Sequence, residues 1–289
     1  MLDLDSPRWS NLRHAYGSAH DVPELLRALE AEAEPAYRRD IAESRENPTP
    51  WEQVYSKLYH QGSLYSATCA AFPHIVRIAE NGSTGKKKET LLLAGAINVS
   101  GFVDDDVPKD LIRDFGEALL KVRRWSLDIV RQTELTDRFT LPYLIQSFGG
   151  LRYPDSFFVR CLDRLTDRDS EIEVDSCPQC DKYILVVLTA NRLAAVAIDS
   201  SGRVIEDSAR YTIPDRGSYP DRFAAGKERL EESEDPLWSP LETPDVLAAL
   251  AVEKGDTALA IRILDLESSI VCPHCGLQFE IREGVEQNE

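Results

Sequence analysis

Uninterrupted apolar sequence is what this 289-residue chain has least of. No run approaches the roughly 20 residues that cross a bilayer. The longest candidate, Tyr183 to Ile198, is cut by Thr189, Asn191 and Arg192. A secretory leader is not read either, because Met1-Leu2-Asp3-Leu4-Asp5 is acidic where such a leader is basic and then apolar. A cytoplasmic protein without a membrane partner is expected. Positive charge is also scarce: 33 Lys and Arg stand against 50 Asp and Glu, a formal net charge of -17. Duplex binding draws most of its affinity from cations that neutralise phosphate, so a nucleic-acid partner is not expected. The one compact basic run, Lys86-Lys87-Lys88, follows a Gly/Ser/Thr-rich turn and reads as a solvated helix entrance. Catalytic spellings are missing too: no G-x-S-x-G elbow, phosphate-binding glycine loop, H-E-x-x-H pair or dinucleotide fingerprint. No catalytic residue is assigned, and a non-enzymatic role is expected.

Six cysteines are present, and they divide into two classes. Cys69 and Cys161 lie in apolar helical surroundings and read as small buried hydrophobes. The other four form Cys177-Pro178-Gln179-Cys180 and Cys272-Pro273-His274-Cys275. A C-x-x-C turn delivers two thiolates from one tight loop, and two such turns complete a tetrahedral zinc shell. Strand-like sequence frames each turn. Glu171–Val174 and Tyr183–Leu188 flank the first; Ser269–Val271 and Leu277–Ile281 flank the second. This pattern resembles the knuckles of zinc ribbons, with an unusually long insertion between them. Cys272-Pro273-His274-Cys275 also matches the active-site spelling of oxidising thioredoxin-like proteins. Those need a helix after the first cysteine, whereas a strand is expected here. The expectation is one structural Zn2+ with no open position for water, and with His274 pointing outward.

Residues 1–168 read as an α-helical domain with short loops and no interleaved strands. Asp21-Val22-Pro23-Glu24 is a helix start, with Asp21 as cap. Further helices are expected over 50–60 and from Ser63 to about Ala79. Gly62 terminates the first of these, and Pro73 kinks the second. A buried helix covers 88–98. Leu111, Phe115, Ala118, Val122, Trp125 and Ile129 mark one stripe of a long helix over 107–133. Segments 139–149 and 155–166 complete the set, and Asp104-Asp105-Asp106 is read as helix caps rather than a cation site.

Within this region Trp9, His14-Ala15-Tyr16-Gly17-Ser18-Ala19, Asp21-Val22-Pro23, Leu58 to Ala67 and Phe72-Pro73-His74-Ile75-Val76 resemble bacterial proteins described as HEAT-repeat-containing. The likeness covers about the first eighty residues and rests on loop spellings. It implies a HEAT-like helical bundle or solenoid and a binding habit, and it carries no catalytic residues.

Residues 169–289 read as a small β-rich, zinc-ribbon-like subdomain with an inserted αα-hairpin. Strands are expected over 183–188 and 193–198. Asp199-Ser200-Ser201-Gly202 is a turn, and Val204-Ile205 begins a third strand. Pro214 to Pro240 is the expected flexible loop. Thr243-Pro244-Asp245 starts one helix, and Gly255-Asp256 ends it and caps the next.

Apart from the cysteines, one polar set stands out: His14, Tyr16, Asp21, His60, Gln61 and Tyr65, at helix ends that can converge. It is read as a binding cluster. Its bland account is a cap by Asp21 and histidine bonds to backbone carbonyls. Acidic residues gather late, from Glu228 to Asp245 and again from Glu280 to Glu289. Such a surface attracts a basic partner. The functional expectation is a non-catalytic protein that binds another, basic protein, in the manner of an immunity protein against a nuclease-type toxin. An enzyme with a His14/His60 cleft and a zinc-ribbon regulatory or scaffold protein are the alternatives.

Overall fold

The computed structural model describes residues 1–35, 46–100, 107–135, 137, 139–166, 170–174, 177–189, 192–199, 203–205 and 208–286. Expectations for Asp104-Asp105-Asp106 and for Ser200-Ser201-Gly202 lie outside the described residues. The protein is mainly helical, with small antiparallel sheets. Among the described residues no helix is long and apolar enough to cross a membrane. Internal contacts define two compact units, Met1–Glu134 with Ser147–Pro154, and Leu135–Gln146 with Asp155–Glu289.

The first unit begins with a 3-10 turn, Pro7–Asn11, that seats Trp9 in the core. Strands β1 (Arg13–His14) and β2 (Gly17–Ser18) form a minimal hairpin before helix α1 (Val22–Ala31). Helix α2 (Pro50–Leu58) starts with a full capping box. Glu52 N donates to Thr49 Oγ1 at 3.3 Å, and Thr49 N donates to Glu52 Oε2 at 2.7 Å. A second hairpin follows, β3 (Tyr59–His60) with β4 (Ser63–Leu64). Helices α3 (Ser66–Glu80), α4 (Thr84–Ser100) and α5 (Lys109–Gln132) then pack on one another. Phe72 of α3 meets Phe115 of α5 edge-on, with ring centroids 5.4 Å apart.

Three expectations change in this unit. Two hairpins stand among the helices, and at the second of them Gly62 does not end a helix. Helix α2 stops at Leu58, and Gln61 (φ 50°) with Gly62 (φ 78°) makes the left-handed turn between β3 and β4. Lys86 is not a solvated residue of a helix entrance. It is buried, and its Nζ donates to Leu29 O and Glu30 O, each at 3.2 Å. Those carbonyls belong to the last turn of α1, where a helix lacks internal donors and favours a cation. On α5, Leu111, Phe115, Ala118, Val122 and Ile129 are buried as the spacing predicts, but Trp125 is half-buried while Ser126, Leu127 and Val130 are buried. Helix α3 runs through Pro73 as one helix.

The chain passes between the two units after Glu134, within helix α6 (Thr140–Gly150), and after Pro154. The second unit continues with α7 (Phe157–Cys161) and a four-stranded antiparallel sheet. Its strands are β5 (Ser170–Val174), β6 (Ile184–Leu188), β7 (Leu193–Ala197) and β8 (Arg210–Thr212), paired in that order. Alternation along β6 buries Ile184, Val186 and Leu188 and leaves Leu185 and Val187 half-buried, as a sheet covered on one face requires. The expected strand at Val204-Ile205 is a single bridge from Val204 to Ile198, and the fourth strand forms later, at β8.

The expected loop from Pro214 to Pro240 is instead built around helix α8 (Tyr219–Glu231). It packs on α9 (Thr243–Glu253), which packs in turn on α10 (Thr257–Asp265), so the insertion holds three helices rather than a hairpin. The buried face of α8 is Tyr219, Gly226 and Leu230, too few apolar side chains to read as periodic. Close approach replaces them: a Cβ on Gly226 would lie 2.1 Å from Asp245 O. Arg222 reinforces the contact by donating through Nε to Asp245 Oδ1 at 2.7 Å. The buried Asp265 carboxylate ends α10 and receives Arg216 Nη2 at 2.6 Å and Tyr219 OH at 2.8 Å. Asp256 caps α10 as expected, through Leu259 N at 2.8 Å, with Gly255 at φ 84°. Strands β9 (Ser269–Val271) and β10 (Gln278–Glu280) pair antiparallel, and α11 (Ile281–Glu286) follows.

A methyl group at Gly226 has no room beside the α9 backbone. Gly226→Ala is therefore expected to destabilise the protein by about 1–3 kcal/mol, the usual cost of overpacking. Urea unfolding followed by circular dichroism checks this, and an unchanged midpoint contradicts it.

Candidate metal centre

The two cysteine loops are the same structure built twice. The first joins β5 to β6 and the second joins β9 to β10. In each, the first cysteine's N–H donates to the carbonyl five residues on: Cys177 to Lys182 at 3.0 Å, and Cys272 to Leu277 at 2.8 Å. The N–H four residues on donates back to the first cysteine's carbonyl, from Asp181 and from Gly276, each at 3.0 Å. That closure needs a left-handed residue, and Asp181 (φ 54°) and Gly276 (φ 81°) supply it. The tight turn also aims backbone N–H groups at sulfur, as His274 N does toward Cys272 Sγ at 3.4 Å.

The loops bring Cys177, Cys180, Cys272 and Cys275 together, with all four sulfurs within 4.8 Å of one another. Cys177 Sγ lies 3.7 Å from Cys275 Sγ, and Cys180 Sγ lies 3.7 Å from Cys272 Sγ. A sulfur tetrahedron with zinc–sulfur bonds of about 2.3 Å has edges of about 3.8 Å. The spacing thus fits a tetrahedral metal ion, and the four cysteines are positioned to bind one. None of the four is in a disulfide. Burial raises the Cys177 thiol, but N–H groups of Gln179 and Cys180, together with hydrogen bonds from Cys272 and Cys275, hold it below its ordinary range. Cys180 is pushed up to about 12 by burial and by the sulfurs around it. Four thiolates this close repel one another unless a cation sits among them. Cys177 and Cys272 are buried, Cys180 is intermediate, and Cys275 is exposed. His274 is exposed, as expected.

The polar set of the first unit converges in part. Asp21 Oδ1 lies 3.2 Å from His14 Nε2, and Asp21 Oδ2 accepts from Lys57 Nζ at 2.5 Å. His14 Nδ1 accepts from Tyr16 N at 3.0 Å, which leaves the ring proton on Nε2, facing Asp21. Tyr16 OH lies 2.9 Å from Ser56 Oγ and 3.5 Å from His60 Nδ1. Gln61 contributes the hairpin turn, and Tyr65 N donates to Thr68 Oγ1 at 3.1 Å ahead of α3. Two corrections follow. Asp21 makes no side-chain cap to α1, because its carboxylate is taken by Lys57 and His14. His14 bonds a backbone N–H and a carboxylate rather than backbone carbonyls. Lys57 and Ser56 complete the network unannounced; at the end of α2, Lys57 reads from sequence only as a complement to the helix dipole.

No protein family matches the chain, and neither does a curated protein or a solved structure.

Burial alone would raise the Asp21 pKa, but the Lys57 hydrogen bond and charge, with His14 behind them, bring it below the ordinary carboxylate value. A lowered folded pKa stabilises fully above the unfolded value, about 3.9, and that stability is lost as pH falls through the lowered one. Asp21 is partly exposed, so the pair contributes about 1 kcal/mol or less. Asp21→Asn should lower stability at pH 7 and flatten the acid limb of the stability–pH curve below about pH 4. An acid limb identical to that of the unsubstituted protein contradicts this assignment.

Proposed function

We propose that this chain is a non-catalytic binding protein: a HEAT-like helical part joined to a zinc-ribbon-like part organised by one structural zinc ion. Its partner is a basic protein, and its role is that of an immunity protein neutralising a nuclease-type toxin. The observation that carries the reading is the sulfur shell itself. The sulfurs of Cys177, Cys180, Cys272 and Cys275 lie within 4.8 Å of one another, and as four ligands to one tetrahedral ion they would leave no coordination position for a substrate or an activated water. Zinc is the ion that four thiolates in this geometry favour, and its binding energy is folding energy. A reducing compartment such as the cytoplasm keeps the four thiols available to it.

The net charge of -17 supports a basic partner and speaks against nucleic acid. The acidic stretch around α8 and α9 is partly paired internally: Arg229 bonds Glu232 and Glu242, and Lys227 faces Glu231. The enzyme reading through His14 and His60 draws some support from the contact of Tyr16 OH with the His60 ring. It is the weaker reading because both ring nitrogens of His14 are already engaged, leaving none for a substrate.

The test is affinity capture from the native host with the zinc-bearing protein as bait. A stoichiometric basic partner is expected at low salt and should be lost as salt is raised. Recovery of no stoichiometric partner at low salt contradicts the proposal.

A further inference from the structure

We propose that the four sulfurs are also an oxidative-modification site: hydrogen peroxide enters at Cys275, and a Cys177–Cys275 disulfide replaces the metal clasp with a covalent one. This rests on the zinc reading above. Exposure sets the point of entry. Cys275 is exposed, Cys180 is intermediate, and Cys177 and Cys272 are buried, so an oxidant arriving from solvent meets Cys275 first. Proximity sets the partner. Cys177 Sγ lies 3.7 Å away on the other loop, and Cys180 faces Cys272 at the same distance. These contacts join loops 98 and 92 positions apart, so disulfides along them would keep the long insertion closed after the metal has gone.

The other two cysteines supply an internal contrast. Cys69 and Cys161 are both buried, and burial pushes their thiols up to about 11 and about 12. Neither presents a thiolate to solvent, and reaction with peroxide requires one.

In the first step the Cys275 thiolate attacks a peroxide oxygen. A sulfur–oxygen bond forms, the oxygen–oxygen bond breaks, and the departing hydroxide takes a proton from solvent to leave as water. Sulfur has given up two electrons and the peroxide has taken them. The Cys177 thiolate then attacks the Cys275 sulfur. The sulfur–sulfur bond forms, the sulfur–oxygen bond breaks, and hydroxide leaves as a second water after taking a second proton. The disulfide would leave a bound metal ion only two of its four sulfur ligands, Cys180 and Cys272, and would so release it. Cys180 and Cys272 repeat the sequence with a second peroxide.

The experiment uses the full-length protein, purified under reducing conditions, with its zinc content measured first. Excess hydrogen peroxide is added, released metal is read with a chromogenic chelator, remaining thiols are alkylated, and unreduced peptides are mapped by mass spectrometry. The expected result is loss of the bound zinc in step with a peptide pair joined through Cys177 and Cys275, while Cys69 and Cys161 remain alkylated. Disulfides confined to Cys177–Cys180 or Cys272–Cys275 overturn the proposal, as does zinc retained under peroxide that oxidises free cysteine. Protein purified without zinc overturns the zinc reading as well; zinc-bearing protein that forms no cross-link between the loops overturns the oxidation proposal alone. Cys275→Ser should slow peroxide-driven thiol loss more than Cys180→Ser, which also removes one ligand but leaves the point of entry. Equal slowing by the two variants argues against entry at Cys275.

Discussion

The convergence of four cysteine sulfurs within 4.8 Å of one another is the constraint on which the second unit turns. The backbone has already brought them together, through two loops that repeat the same hydrogen bonds and the same left-handed residue. A divalent cation held by these sulfurs would join positions 92 and 98 residues apart. The entropy lost in closing so long a loop grows only slowly with its length, so a large insertion between the loops is tolerated.

What fills the insertion has its own logic. A four-stranded sheet leads into three helices, and the contact of α8 with α9 depends little on large apolar side chains. Gly226 lets α8 approach the α9 backbone, and Arg222 holds Asp245 across the same contact. The buried Asp265 gathers Arg216 and Tyr219 at the end of α10, four residues before β9 begins. A buried carboxylate persists only when its oxygens are satisfied, so this cluster and the sulfur shell fix the two ends of the segment that delivers Cys272. The first unit uses polar groups in a similar way. Lys86 ends α1, and Asp21 ties Lys57 to His14 beside the hairpins.

Legibility in the sequence followed the kind of signal each feature leaves. The four clustered cysteines were plain, because C-x-x-C spacing is local and its chemistry is specific. Helix α5 was plain because Leu111 to Ile129 keep a helical period over many turns. Helix α8 was not, since a glycine contact and arginine–carboxylate pairs leave no apolar periodicity. The hairpins at Ala15–Tyr16 and Gln61–Gly62 were hidden by their two-residue strands, too short to alternate. Lys86 and Asp21 mislead for a common reason. A charged residue near a helix end has a satisfactory local role, and only the fold shows that a distant group has claimed it.

The central claim is that one ion sits inside a closed shell of four cysteine sulfurs. X-ray absorption at the zinc edge, on protein purified under reducing conditions without added metal, reads that shell directly. The account predicts four sulfur scatterers at about 2.3 Å and no nitrogen or oxygen ligand. A light-atom ligand in the first shell, or protein carrying no zinc, would contradict it.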